Sequence, residues 1–168
     1  MMFTEQLAVA IVKGEKTQTR RLPSSSERAM WREQKPWRYP VGQRFTVNPG
    51  RGVERVAEAE VTGRRMATLG EMTVDEGRAE GFPATAKAGF IDAWQRINGS
   101  WSVDTRVHVV EFKRVGTDCP SCHGTGRQPW QPLANMQTTR SCFDCYGTGL
   151  IISPAAVALI AKVEREGG

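Results

Sequence analysis

The chain has 168 residues, 39% of them hydrophobic, with five tryptophans and a formal charge of +5. That length suits one domain of ordinary size with a small appendage, and the apolar content is enough for a real core. The apolar run LAVAIV near the start is far short of the roughly 20 residues that span a bilayer and has no basic flank of a leader, so the chain reads as soluble and cytoplasmic, without a membrane partner.

The charge is unevenly spread. Residues 1–65 carry 13 Lys and Arg against 7 Asp and Glu, residues 66–115 carry 6 against 7, and residues 116–168 carry 4 against 4. The basic excess belongs to the N-terminal third, where it would attract phosphates without base specificity.

In chain order, Phe3, Leu7, Ala10 and Ile11 form the stripe of a short helix, with Thr4 as N-cap and Lys13-Gly14 as its end. Residues 22–42 hold three prolines, three serines and two tryptophans, and read as a long loop anchored by Trp31 and Trp37. QRFTVN (43–48) is a predicted strand ended by Pro49-Gly50. VAEAEV (56–61) alternates as a half-buried strand does, which makes Glu58 and Glu60 a solvated face. TVDE (73–76) matches a capping box, opening a short helix that should stop at Gly81. A second helix carries Phe90, Ala93, Trp94 and Ile97 on one face, with Gly99 beyond its end. RVHVVEFKRV (106–115) is apolar on both sides at its centre and suits an interior strand, with His108 as a packed residue of it. Ser153-Pro154 opens a last helix with the stripe Ala156, Leu159, Ile160 and Val163. The order predicts a small α+β domain with a curled or closed sheet.

All four cysteines fall between positions 119 and 145, so no disulfide framework staples the rest of the fold. CPSCHGTG (119–126) and CFDCYGTG (142–149) are one motif, C-x-x-C-x-G-T-G, written twice. Each C-x-x-C turn presents two sulfurs on one side, and the glycines let the backbone fold tightly around them. Cys119, Cys122, Cys142 and Cys145 are therefore the predicted ligands of one structural zinc, in preference to a redox dithiol. His123 is a bystander in this reading. Trp130 and Met136, between the two motifs, belong either to a small core or to a contact surface. The repeats resemble those of the DnaJ-type cysteine-rich zinc domain. Two are present where the full chaperone module has four, so the resemblance implies the metal and not the chaperone activity.

Residues 14–21, GEKTQTRR, begin where the first helix ends. Threonine is a weak nucleophile unless a base takes its proton, and lysine can be that base when its pKa is lowered. Lys16 and Thr19 lie three apart, however, and in an extended strand they face opposite sides, so a shared pocket needs a bend.

FTEQLAVAIVKGEKTQTRR resembles the opening of the ASCH superfamily, a short helix followed by G-x-K-T-x-T-x-R, here Gly14, Lys16, Thr17, Thr19 and Arg21. The similarity extends through MTVDEGRAEGF, FIDAWQRING and VHVVEFKRV, so it covers residues 1–115. It implies a PUA-like small β-barrel with flanking helices over 1–115, followed by a zinc-binding module at 116–150 and a C-terminal helix at 151–168. The 4-acetylcytidine amidohydrolases of that superfamily use a lysine, a threonine and a glutamate, which fall on Lys16, Thr19 and Glu80. In the implied mechanism Lys16 activates Thr19 for attack on an acyl amide and Glu80 assists proton transfer. Thr17, Arg20 and Arg21 would then contact the substrate or nucleic acid.

Three functions follow as expectations. The first is an amidohydrolase acting on an acylated nucleoside. The second is a non-catalytic module that binds nucleic acid, RNA favoured, with base stacking on Trp31, Trp37 or Trp130. The third is a protein-interaction element built on the zinc module.

Overall fold

The computed structural model describes residues 1–23, 39–130 and 138–166. The expected loop anchors Trp31 and Trp37, and Met136, lie outside these residues, as does the side chain of Trp130. The architecture is mixed α+β with antiparallel sheets, and its residues group into two compact units. The first comprises Met1–Gly14, Thr46–Glu58 and Arg114–Gly168, and the second Glu15–Phe45 and Ala59–Lys113.

In the first unit, helix α1 (Glu5–Val12) starts at Thr4, whose hydroxyl accepts from the Leu7 amide. Gly14 just past its end has φ +75°, the left-handed conformation that closes a helix. Ala8 to Val12 are all buried, a wider face than the expected stripe. Helix α4, near the end of the chain (Pro154–Glu166), buries Ala156, Leu159 and Ile160. Its start is capped by Ser153, whose Oγ accepts from the Ala156 amide at 3.2 Å. α1 and α4 pack together and exchange two cross-helix ion pairs, Lys162–Glu5 at 2.7 Å and Lys13–Glu164 at 2.8 Å. Each pairs one exposed side chain with a half-buried one at the surface, so they orient the pair more than they stabilise it.

The strands β1 (Gln18–Arg21), β2 (Arg44–Val47), β3 (Ala57–Thr68) and β4 (Arg106–Val115) form a four-stranded sheet in the order β1-β4-β3-β2, and the second unit holds all of β1 and most of β3 and β4. β4 is interior, as its two apolar faces require, and Val107, Val109 and Val110 are buried in it. Antiparallel pairing sets Thr19 opposite Val110 and Arg20 opposite Val109. Among the described residues the sheet is open, with β1 and β2 at its edges. β3 runs well beyond the expected 56–61, because Gly63, Arg64 and Arg65 interrupt the alternation without interrupting the strand.

One face of the sheet carries a core of Ala67, Leu69, Met72, Phe90, Trp94, Val107 and Val109. Phe90 and Trp94 come from helix α3 (Ala86–Asn98). Ile97, expected on the same stripe, is 66% exposed. Trp101, two residues after the left-handed Gly99, packs against the cluster and meets Phe90 edge-on at 6.2 Å. Helix α2 (Val74–Ala79) has the full capping box, Thr73 accepting from the Glu76 amide while Glu76 accepts from the Thr73 amide. Gly77 allows α2 to lie against the start of α3, because a Cβ there would run into the backbone of Ala86 and Lys87. That close approach fixes Glu80, the C-cap of α2. Among the described residues no helix is long and apolar enough to cross a membrane.

Candidate functional sites

Lys16 and Glu80 are 64 positions apart in sequence, and the fold joins them twice. Their backbones form an isolated antiparallel bridge, and Lys16 Nζ lies 2.9 Å from Glu80 Oε2. The ammonium also donates to the carbonyls of Glu80 at 2.8 Å and Gln18 at 2.6 Å. An ammonium has three protons, and these three acceptors take them all. Lys16 and Glu80 are each 2% exposed. Burial lowers the lysine's pKa below its ordinary 10.5, the attraction of Glu80 opposes that, and Arg21 and Arg20 lower it further.

Arg20 completes the cluster. Its Nη1 donates to Glu80 Oε1 at 3.2 Å, its Nη2 lies 3.0 Å from Glu76 Oε2, and its guanidinium sits 5.8 Å from the centre of the Phe90 ring. Burial lowers its pKa from the ordinary arginine value, with Glu80 opposing, and the group remains charged at any ordinary pH. Arg65 reaches the other oxygen of Glu76 from the exposed edge. Two carboxylates from α2 thus neutralise Lys16 and Arg20 in a dry setting. Removing either side would leave an uncompensated buried charge.

The remaining residues are placed differently. Thr17 is exposed, although its backbone amide donates to the Ala79 carbonyl at 2.9 Å. Thr19 is buried, and as the strand neighbour of Arg20 it sits on the opposite face of β1, opposite Val110. It is not among the three acceptors of Lys16. The structure therefore joins Lys16 to Glu80 and Arg20, while Thr19 keeps the opposite side that a period of two assigns to it. Arg21 ends β1 and is half-buried. The sequence marks Glu76 only as the capping-box residue of α2, not as a partner of Arg20, and does not single out Gln18. The alternation Lys16, Gln18, Arg20 was the available signal for the latter.

In the first unit, Cys119, Cys122, Cys142 and Cys145 are buried and free of disulfides, and their four sulfurs lie within 4.8 Å of one another. The Sγ separations are 4.0 Å for Cys119 and Cys142 and 3.7 Å for Cys122 and Cys145. A tetrahedron with Zn–S of about 2.3 Å has edges of about 3.8 Å. The donors fit a metal in chemistry and in spacing, consistent with zinc. His123 is exposed and outside the cluster.

The two motifs fold as near copies. Thr125 Oγ1 donates to the Cys122 carbonyl at 2.6 Å, and Thr148 Oγ1 to the Cys145 carbonyl at 2.7 Å. The Gly126 amide points at Cys122 Sγ and the Gly149 amide at Cys145 Sγ, each at 3.3 Å. Such amides stabilise a thiolate and fix its direction. Each motif also clasps the other: the Cys119 amide donates to the Gly149 carbonyl at 2.7 Å, and the Cys142 amide to the Gly126 carbonyl at 2.8 Å. Gly126 and Gly149 have φ of +71° and +79°, and a Cβ on either would strike the backbone of the facing motif, at Gly147 or Gly124. The second G-T-G glycine is thus required twice over, by conformation and by space.

Burial first, then the Cys145 hydrogen bond, pushes the Cys142 thiol up to about 12. Metal binding would release that proton. Arg114 anchors the second motif, donating to Thr148 Oγ1 at 3.1 Å, to the Val12 carbonyl at 3.2 Å and to the Ile151 carbonyl.

The sequence matches no family model and no curated protein. The fold is similar to the ASCH domain from Lactobacillus crispatus, with a TM-score of 0.52 and 16% identity over 64% of this chain and 69% of that one. It is also similar to a protein from Enterococcus faecalis, with a TM-score of 0.50 and 15% identity over 68% of this chain and 77% of that one. The chain has an ASCH-like fold, to which it adds a four-cysteine cluster near its C-terminal end.

Proposed function

We propose that the chain is an ASCH-type protein that recognises a nucleoside or nucleic acid, RNA favoured, with β1 and the end of α2 as its site. The observation that carries this reading is the buried Lys16–Glu80 pair, drawn from the two segments that resemble the superfamily's site. Cys119, Cys122, Cys142 and Cys145 would hold a structural zinc, which would supply a cross-link rather than a reactive position. The functional division proposed is recognition by residues 1–115, metal binding by 116–150 and a supporting helix over 151–168. Arg21, at the end of β1, is the cation assigned to the ligand's phosphate or polar edge. Short single-stranded RNA titrated at rising salt tests the reading. Affinity should fall steadily as phosphate contacts release counterions, and a salt-independent response overturns it.

A second reading is favoured by the lowered pKa of Lys16 beside Glu80, and makes the protein an amidohydrolase of acylated cytidine-type nucleosides. Thr19 Oγ would add to the acetyl carbon, with its proton passing to a neutral Lys16. The amide C–N bond would break, the nitrogen leaving as the nucleoside's amine with a proton relayed through Glu80. Water would then split the threonine ester to acetate. Lys16 would first release an acceptor and Thr19 would turn to its side of β1. Incubation with 4-acetylcytidine should yield cytidine, and Thr19→Ala should abolish that release. An inert wild-type chain defeats this second reading and leaves the first standing.

A further inference from the structure

We propose that Gln18, with Arg20 beside it, forms an acceptor-reading subsite that takes a neutral carbonyl oxygen of the ligand, as on a pyrimidine base, and discriminates against phosphate. This rests on the reading of β1 as the ligand site and gives that site a ligand chemistry. Gln18 is 4% exposed, and its Nε2 is buried with no hydrogen-bond partner among the described residues. A buried donor left unpaired loses its hydration without recompense, so such groups call for an explanation.

Arg20 Nε is a second such atom. The terminal nitrogens of Arg20 turn to Glu80 and Glu76, which leaves Nε unused. Gln18 and Arg20 are two apart on β1 and therefore share a face, at a spacing of about 7 Å. Both unpaired groups are donors, so the complementary atom is an acceptor. Lys16 cannot serve it, since its three protons are committed.

Charge decides which acceptor. Lys16 and Arg20 are already balanced by Glu80 and Glu76. The further cation on Glu76, Arg65, is 42% exposed and screened by solvent. At Gln18 and Arg20 a buried phosphate would find both cluster cations already paired, with only the half-buried Arg21 and the exposed Arg65 as further cations, and it would lose an ion's solvation there. A carbonyl loses far less on leaving water and recovers it from two N–H groups. Cytosine and uracil carry such a carbonyl, whereas adenine offers only ring nitrogens.

The test uses the 168-residue chain loaded with zinc, titrated with cytidine, adenosine and inorganic phosphate. Binding is followed through the side-chain amide signals of its glutamines in 1H–15N spectra. Cytidine should shift the Gln18 amide pair, adenosine should bind less tightly, and phosphate should leave that pair in place. Gln18→Leu should weaken cytidine about tenfold, the worth of one hydrogen bond, and should hold or raise the melting temperature. Gln18→Met serves if the leucine variant folds poorly. Cytidine bound equally well by wild type and both variants overturns this proposal while the site reading survives. Displacement of cytidine by phosphate at Gln18 overturns the preference for a neutral acceptor. A wild-type chain that binds neither nucleoside nor RNA overturns the site reading itself.

Discussion

The cysteine cluster and the Lys16–Glu80–Arg20 cluster are both buried and polar, yet they are held in opposite ways. The cysteines come from two short repeats 23 residues apart, and each repeat carries its own hydroxyl, amide and glycine supports. The ion cluster has no local code. It exists because β1 is paired to β4, the capping box starts α2, and Gly77 lets α2 close on α3. The first cluster satisfies its neighbours and leaves four thiols converging on a point, whereas the second satisfies its charges internally. One is therefore arranged as a site that could receive a metal, while the other depends on every partner staying in place.

The largest effect should come from removing such a metal. Stripping metal with a chelator, or Cys142→Ser, should unfold the 116–150 segment, since apparent structural zinc affinities in small modules are about 10–16 kcal/mol. Metal content per chain and thermal melting check this. Unchanged melting after complete metal loss would show that the thiols pack without an ion.

Next is the ion cluster. Glu80→Gln leaves Lys16 without its carboxylate, and a loss of about 3–5 kcal/mol is expected from denaturant unfolding. The pair Lys16→Met with Glu80→Leu should recover part of it, since Arg20 keeps Glu76 but loses Glu80. A double variant as unstable as the single one would show that burial of the pair is not the source of the loss. Gly149→Ala, which forces a side chain into the left-handed region and against Gly124, should cost about 1–3 kcal/mol and lower metal affinity. Gly147→Ala has the same backbone cost with less crowding, because its nearest contact is the Ser141 side chain at 3.4 Å. It should be the milder of the two.

The smallest effect is the pH dependence of Lys16. Its pKa in the folded chain lies below its unfolded value of 10.5. Between those values the unfolded chain holds the extra proton, so the lysine's contribution to stability rises with pH across that window. Lys16→Met should flatten that rise, seen as the difference between the two proteins' unfolding free energies as pH approaches 10.5. A difference that falls with pH would reverse the sign assigned to burial.

What the sequence disclosed follows the same division. The paired cysteine motifs, Thr4, the TVDE box and the interior strand at 106–115 are each written in a few consecutive residues, and the structure has each of them, the cysteines as one buried cluster that could hold a metal. β1 itself was hidden, because QTRR has no apolar alternation. It is a strand through its register with β4 and buries polar side chains. The extension of β3 was hidden by Gly63 and two arginines. Ile97 misled because the helix period cannot know that Trp101 packs in from outside the helix. Glu80 entered through family likeness; Glu76 was legible only as the capping-box residue, its contact with Arg20 being tertiary, and Gln18 had no motif to announce it. The geometric objection to pairing Lys16 with Thr19 was sound as strand physics, and Thr19 does stand on the other face of β1.

The central claim is that β1 and the end of α2 recognise a nucleoside. It is tested most directly by backbone 1H–15N spectra of the zinc-loaded chain titrated with a cytidine-type nucleoside. Saturable shifts should centre on residues 16–21 and 76–80. Shifts confined to the cysteine motifs, or none up to millimolar nucleoside, would contradict the account.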